Sequence, residues 1–334
     1  MTDPVALSLA DGPLFGLPLD TLWFALVFAV LGTFLFLDGF DFGVGALFAT
    51  RDAEAERETL LAAIGPFWDG NEVWLVVFGG MLFAVFPSVY AALFSRHYLL
   101  LFAILAALLI RGLAPEMYEQ RHDDQWQTWW GRAFVVGSVT APFFLGVFVG
   151  NWLFGVEEFA SAASLLVGLA VVALTITDGA TYLGLKTRGD IRIETRPMGH
   201  LAQAGYLLLV VAALAVGGQS ASHVSLLSLP TLALLALTVL LAAANVVASR
   251  RDRHVLALGA VAGQAYGLVA LVATLLFPLI DPVAGLEVAD AIVSTLPLNL
   301  STIAASLLLP LVATYFVVLY SSFSGPVEDE ESYA

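Results

Sequence analysis

Of the 334 residues, 60% are hydrophobic and 12% are charged, about half the charged share of a soluble globular domain. With a mean hydropathy of +0.90, this excludes a soluble enzyme. A formal charge of -15, from 28 acidic against 13 basic residues, makes a nucleic-acid partner implausible, and the lack of cysteine excludes disulfide, zinc-thiolate and iron–sulfur chemistry.

The chain reads as an all-α polytopic protein, one integral membrane domain over 1–334. A spanning helix needs about 20 mostly apolar residues. The N-terminus lacks basic residues and its first apolar run is long enough to span, so no secretory signal is expected. That first span, 20–48, ends in Leu37-Asp38-Gly39-Phe40-Asp41-Phe42-Gly43-Val44-Gly45. Asp38 and Asp41, three residues apart, share one helix face. Gly39 and Gly43 give the small-residue spacing that lets helices approach closely. The segment 54–64 is apolar on one side and charged on the other, which predicts an interfacial helix ending at Pro66.

Next comes Gly65-Pro66-Phe67-Trp68-Asp69-Gly70-Asn71-Glu72-Val73-Trp74, a polar insert opening the second span, 72–95. Asp69, Gly70 and Asn71 have the residue types of helix N-caps. Trp74 sits about a turn inside, where it could line an apolar passage. Further spans are expected at 97–118, 132–154, 160–186, 200–218, 227–249, 256–279 and 301–323, nine in all. Of the 13 basic residues, only Arg96 falls on the opposite side from the rest. The basic-rich side is therefore assigned to the cytoplasm, with the N-terminus outside and the C-terminus inside. Much of the acidic excess lies in loops and in Glu328-Asp329-Glu330-Glu331. It serves aqueous solvation or reflects a high-salt source.

The end of span five, Thr177-Asp178-Gly179-Ala180-Thr181-Tyr182-Leu183-Gly184, repeats Asp-Gly at the depth of Asp38-Gly39. This suggests a pseudo-repeat of 20–154 and 160–279, two four-helix bundles, with 301–323 as an extra helix. Carboxylates at membrane depth are costly unless they face protein, water or a partner charge. Asp38, Asp41, Asp69, Glu72 and Asp178, with Arg111, gather toward the cytoplasmic side, as a proton entrance would require. The plainer reading is that they pair with each other and with helix ends. The five histidines, His97, His122, His200, His223 and His254, fall in loops or at span ends, and Met81 alone lies well inside a span. No facing pair of haem ligands results, so no haem or metal is expected in this chain. No phosphate-binding loop, dinucleotide fingerprint or zinc-protease motif is present.

The strings 38–45 and 66–74 resemble subunit II of the cytochrome bd-type quinol oxidases. Support comes from Phe86-Pro87-Ser88-Val89-Tyr90-Ala91, Gly150-Asn151, the span-five end through Thr187, and Leu300 to Ser306. The resemblance covers nearly the whole chain. It implies a heterodimer with a subunit I that carries haems b and d, oxidises quinol and reduces dioxygen to water in a prokaryotic cell membrane. Subunit II would be haem-free and not catalytic alone. Protons taken from the cytoplasm would build membrane potential without pumping. The resemblance further implies a proton route at Asp69, neighboured by Trp68, a matching basic residue at Arg111, and an oxygen passage at Trp74. A structurally bound quinone or lipid and a small accessory subunit are compatible with it. This chain departs from relatives at Gly131, where some carry an acid, and at Asp178, which is often histidine. The rival class is a secondary transporter using intramembrane carboxylates; a third reading is a purely structural assembly subunit.

Overall fold

The computed structural model describes residues 9–327. Both chain ends, and with them the acidic run 328–331, lie outside the described residues. The helices are α1 (Leu19–Leu47), α2 (Glu54–Ile64), α3 (Trp68–Val85), α4 (Pro87–Arg96), α5 (Tyr98–Glu119), α6 (Asp124–Phe154), α7 (Ala162–Lys186), α8 (Gly189–Gly217), α9 (Leu229–Arg250), α10 (His254–Leu276), the short α11 (Val288–Ala291) and α12 (Thr295–Ser322). A two-stranded hairpin, Leu279–Asp281 with Leu286–Glu287, is a small departure from an all-α fold.

Among the described residues, eight helices are long and apolar enough to cross a membrane, against nine expected. The difference is the second span. It is built from α3 and α4, which break at Phe86 (φ -125, ψ 60). Pro87 supplies no N–H and disfavours a helical residue before it. The polar first turn of α3 also dilutes its apolar length. A helix forms over Glu54–Ile64, the bounds expected from sequence. Three helices start earlier than their apolar runs, at 124, 189 and 295 rather than 132, 200 and 301. Apolar counting marks the embedded part of a helix, while caps mark its end. Asp123 accepts from the backbone N–H of Trp126, and this opens α6 eight residues ahead of its apolar run. Ser161 and Ser164 form a reciprocal cap on α7.

Helix α1 is central and packs on α3, α6, α7 and α10. Its crossing with α7 is close because neither helix has a side chain there. A Cβ on Gly43 would stand 1.9 Å from the carbonyl oxygen of Thr175, and one on Gly179 would stand 2.4 Å from the carbonyl carbon of Gly43. The two Asp-Gly strings therefore pack against each other. On the other flank α5 and α6 pair, closest at Gly137, whose Cβ would meet the backbone nitrogen of Arg111 at 2.6 Å. Helices α7 and α8 pair, as do α9 and α10. Helix α12 is a peripheral helix whose most apolar stretch is not buried in the chain. It is pinned by Asn299, which donates to the carbonyls of Leu9 and Gly12, and by Thr302, which accepts from the Trp23 indole at 2.9 Å. Away from the basic end, Trp152 donates to the hairpin at Ile280, and Arg96 grips Asp281 with two bonds of 3.1 Å.

Candidate functional site

The acids of α1 and the guanidinium of α5 meet inside the bundle. Arg111 is eight residues from the end of α5, so it lies about 12 Å below that end at 1.5 Å per residue. One turn of α1 presents Asp38 and Asp41 on the face toward it, as their spacing requires. Both are fully buried. Arg111 Nη2 stands 3.0 Å from Asp38 Oδ1 and 3.7 Å from Asp41 Oδ2. Its Nη1 donates to Glu72 Oε2 at 3.2 Å. The guanidinium carbon lies over two rings, 5.1 Å from the centroid of Phe42 and 5.3 Å from that of Trp68, which is within cation–π range. Gly112 packs directly beneath Trp68, where a Cβ would touch the indole at 3.4 Å.

Asn71 is not an N-cap. Helix α3 begins at Trp68, its preceding residue Phe67 provides no side-chain cap, and Asp69, Gly70 and Asn71 lie within the first turn. Fully buried, Asn71 instead ties three helices together. Its amide donates to Asp41 Oδ2 at 2.8 Å and to the carbonyl of Leu37 at 3.1 Å, and it accepts from Tyr320 of α12 at 2.8 Å. The cap expectation rested on residue type. The physical reason it fails is that a buried amide is better satisfied by a carboxylate and a backbone carbonyl than by its own helix end.

The four-residue spacing of Trp68 and Glu72 puts both against Arg111. Asp69, Val73 and Val76 lie beside this face, rotated outward where α3 is exposed. Asp69 is therefore not part of the buried cluster, though it acts electrostatically on Glu72. Asp178 is buried and lies against Gly39, where a Cβ would be 3.2 Å from its Oδ2. It is close enough to Asp41 to interact with it. One guanidinium thus faces Asp38, Asp41 and Glu72, with Asp178 behind them.

A cavity of about 690 Å³ lies above this cluster. Its walls are mostly apolar side chains of α1, α3, α4, α5, α6, α7 and α10, among them Phe34, Phe78, Ile104 and Val171, and Glu72 lies in its lining. Trp74 is not in that lining. It is buried on another side of α3 and packs on Phe316 of α12, ring centroids 5.5 Å apart. No imidazole lines the cavity. His97 lies edge-on to Phe148, and His223 bonds the carbonyl of Leu153. His200 and His254 sit together at the basic end. His200 is eleven residues into α8 rather than at a span end, because α8 starts early.

A family model described as cytochrome bd terminal oxidase subunit II matches residues 19–323, which includes every residue of the cluster. The chain belongs to this family. Subunit 2 of the cytochrome bd-I ubiquinol oxidase of Escherichia coli K12 is 36% identical over 199 residues, 54% of this chain and 52% of that protein. The chain thus spans about half the length of that relative. Subunit 2 of the cytochrome bd ubiquinol oxidase of Bacillus subtilis is 32% identical over 94% of this chain and 98% of its own length. The fold is that of a chain in the structure of bd oxidase from Geobacillus thermodenitrificans, with a TM-score of 0.74 over 92% of this chain and 99% of that one, at 17% identity. The all-α membrane class expected from sequence is thereby established.

Sequence reasoning singled out Asp38, Asp41, Asp69, Trp68, Trp74 and Arg111. The structure brings Asp38, Asp41, Trp68 and Arg111 together with Glu72, which the sequence had also gathered on this side, and places Asp69 and Trp74 outside the contact. It gives Asn71 a bridging place and adds Tyr320. Nothing in the sequence pointed to Tyr320, which is 249 residues from Asn71.

Proposed function

We propose that this chain is the haem-free half of a membrane quinol oxidase, holding protons on their way to redox centres in a partner subunit I. The observation that carries the reading is the single buried guanidinium shared by several buried acids. An uncompensated buried carboxylate costs several kcal/mol. One Arg111 cannot offset Asp38, Asp41 and Glu72 together, so the group is stable only when it shares protons. Such sites titrate as a unit and can pass protons along. Asp69 would take protons at the basic end, proposed here to face the cytoplasm. Glu72 would relay them, and Trp68 would fix the guanidinium that receives them.

The outward face of α3 supports a partner chain. Asp69 lies on it with Val73 and Val76, 52% and 73% exposed. An acid on an otherwise apolar membrane face calls for protein or water beside it. The partner would carry the haems b and d, oxidise quinol and reduce dioxygen. Its protons would be consumed from one side only, which generates potential without a pump. Dioxygen is apolar and partitions into space such as the 690 Å³ cavity, while Trp74 would wall a separate path between α3 and α12. We also propose that 20–154 and 160–279 are repeats whose first helices, α1 and α7, cross at their matching Asp-Gly strings. A transporter of inverted-repeat type breaks its helices at the binding site; α1 and α7 run unbroken through Asp38, Asp41 and Asp178.

The test is Asp69→Asn and, separately, Glu72→Gln, in the complex as purified. Quinol-driven oxygen consumption should fall at least tenfold with the reduced-minus-oxidised haem spectrum unchanged. Full turnover in both variants would refute the proton role. A purified chain that brings no haem protein with it would refute the partnership.

A further inference from the structure

A second polar cavity lies at the basic end, among α7, α8, α9 and α10, separate from the Arg111 cluster. It encloses about 20 Å³ and is lined by Ala180, Thr181, Gly184, Arg192, Arg196, Gly199, His200, Ser249 and His254. That volume exceeds the roughly 10–15 Å³ needed for one water-sized group, and it is far too small for a nucleotide.

Its charge pattern is built by helix geometry. Arg192, Arg196 and His200 recur every four residues on α8, a single stripe. His254 faces them as the first residue of α10, a helix with no side-chain cap, so its N-terminal dipole adds to the positive field. Gly184 makes the space, since a Cβ there would stand 3.2 Å from His254 Nδ1. Arg196 and Arg250 act on His200, and Arg196 acts on Arg192. One carboxylate offsets part of this charge. Asp252, itself exposed, accepts from Arg196 at 2.6 Å and stands 3.9 Å from His254 Nε2. Arg192 also donates to the carbonyl of Thr187.

Three side-chain nitrogens have no hydrogen bond to any described residue although they are shut away from solvent: Arg192 Nε, His200 Nε2 and His254 Nε2. Basic residues that merely mark the membrane surface reach into water and satisfy themselves there. These do not. The hydroxyls in the lining, Thr181 and Ser249, donate to the carbonyls of Thr177 and Asn245 and accept from none of the three nitrogens. A compact group rich in acceptor oxygens is what the site lacks.

We propose that Arg192, Arg196, His200 and His254 form a phosphate-type oxyanion site. Two sources share that chemistry, an anionic phospholipid headgroup and free phosphate. The flanks are apolar and outward-facing, with Ile193, Leu201, Val247 and Val255 all exposed, which suits acyl chains lying beside a held headgroup.

The test is thermal unfolding of the delipidated complex, with additions of phosphatidylglycerol, or of sodium phosphate against sodium chloride at equal ionic strength. A rise in the midpoint is expected. The concentration giving half the rise should increase at least tenfold in Arg192→Gln/Arg196→Gln and in His254→Gln. It should stay unchanged in Arg251→Gln/Arg253→Gln, two exposed basic residues of the same end. Phosphatidylglycerol acting where phosphate does not supports the headgroup as source; phosphate acting as well supports a free oxyanion. No rise with either ligand, or an equal loss in the Arg251/Arg253 control, overturns the proposal. If the arginine pair does not fold, His254→Gln alone decides it.

Discussion

Removing the guanidinium of Arg111 exposes the physics of the buried cluster most directly. Arg111→Met keeps the apolar stem and the packing on Phe42 and Trp68 but deletes the charge. Asp38, 3.0 Å away and fully buried, then has no paired cation among the described residues. Deleting one partner of a buried ion pair costs about 3–5 kcal/mol. Asp41 has a second donor in Asn71, so the cost should fall mainly on Asp38. At about 2 °C per kcal/mol for a large chain, the unfolding midpoint should drop by roughly 6–10 °C. The triple variant Arg111→Met/Asp38→Asn/Asp41→Asn should recover most of that loss, because replacing a whole buried charge group by neutral residues is often close to neutral. The assay is the thermal midpoint of the solubilised complex, read by size-exclusion retention of the monodisperse peak. A single variant within about 1 °C of the parent would show that the acids need no counter-charge. A triple variant as unstable as the single one would show that packing, not charge, holds the site.

Other outcomes follow from the same structure. Gly179→Leu should abolish recovery of folded protein, because its Cβ alone would stand 2.4 Å from the backbone of Gly43; a normal yield would mean that α1 and α7 do not cross there. Asn71→Leu should cost about 1–3 kcal/mol by stranding Asp41 and Tyr320, seen as a lower midpoint, whereas Asp69→Asn, on the exposed face, should leave the midpoint unchanged. Trp74→Ala should raise the oxygen concentration for half-maximal turnover; an unchanged value would count against an oxygen path there. His97, in the link between α4 and α5, has its pKa lowered from 6.5 by burial and by Arg96. The unfolded chain therefore binds a proton that the folded one resists, so this contribution to stability is full above pH 6.5 and is lost as pH falls below it. His97→Gln should flatten the midpoint-versus-pH curve below that value.

The chain by itself determined its membrane class, nearly all of its helices and the pairing of Asp38 with Asp41 on one face. These follow from apolar run length and from the 3.6-residue period, which are local quantities. It also marked the family, because the strings at 38–45 and 66–74 are short and contiguous. Only the tertiary structure decided which polar residues share a site. Asp69 and Glu72 are three residues apart in one polar insert, yet one faces outward and the other meets Arg111. That choice depends on the rotation of α3 about its axis, which the packing of Trp68 and Asn71 against α5, α1 and α12 fixes. Trp74 turns toward Phe316 for the same reason. The basic cavity was likewise out of reach of sequence, since its residues are drawn from four helices and single positive charges at a membrane surface look alike until their donors are found enclosed. Local periodicity sets which residues share a face; long-range packing sets what that face meets.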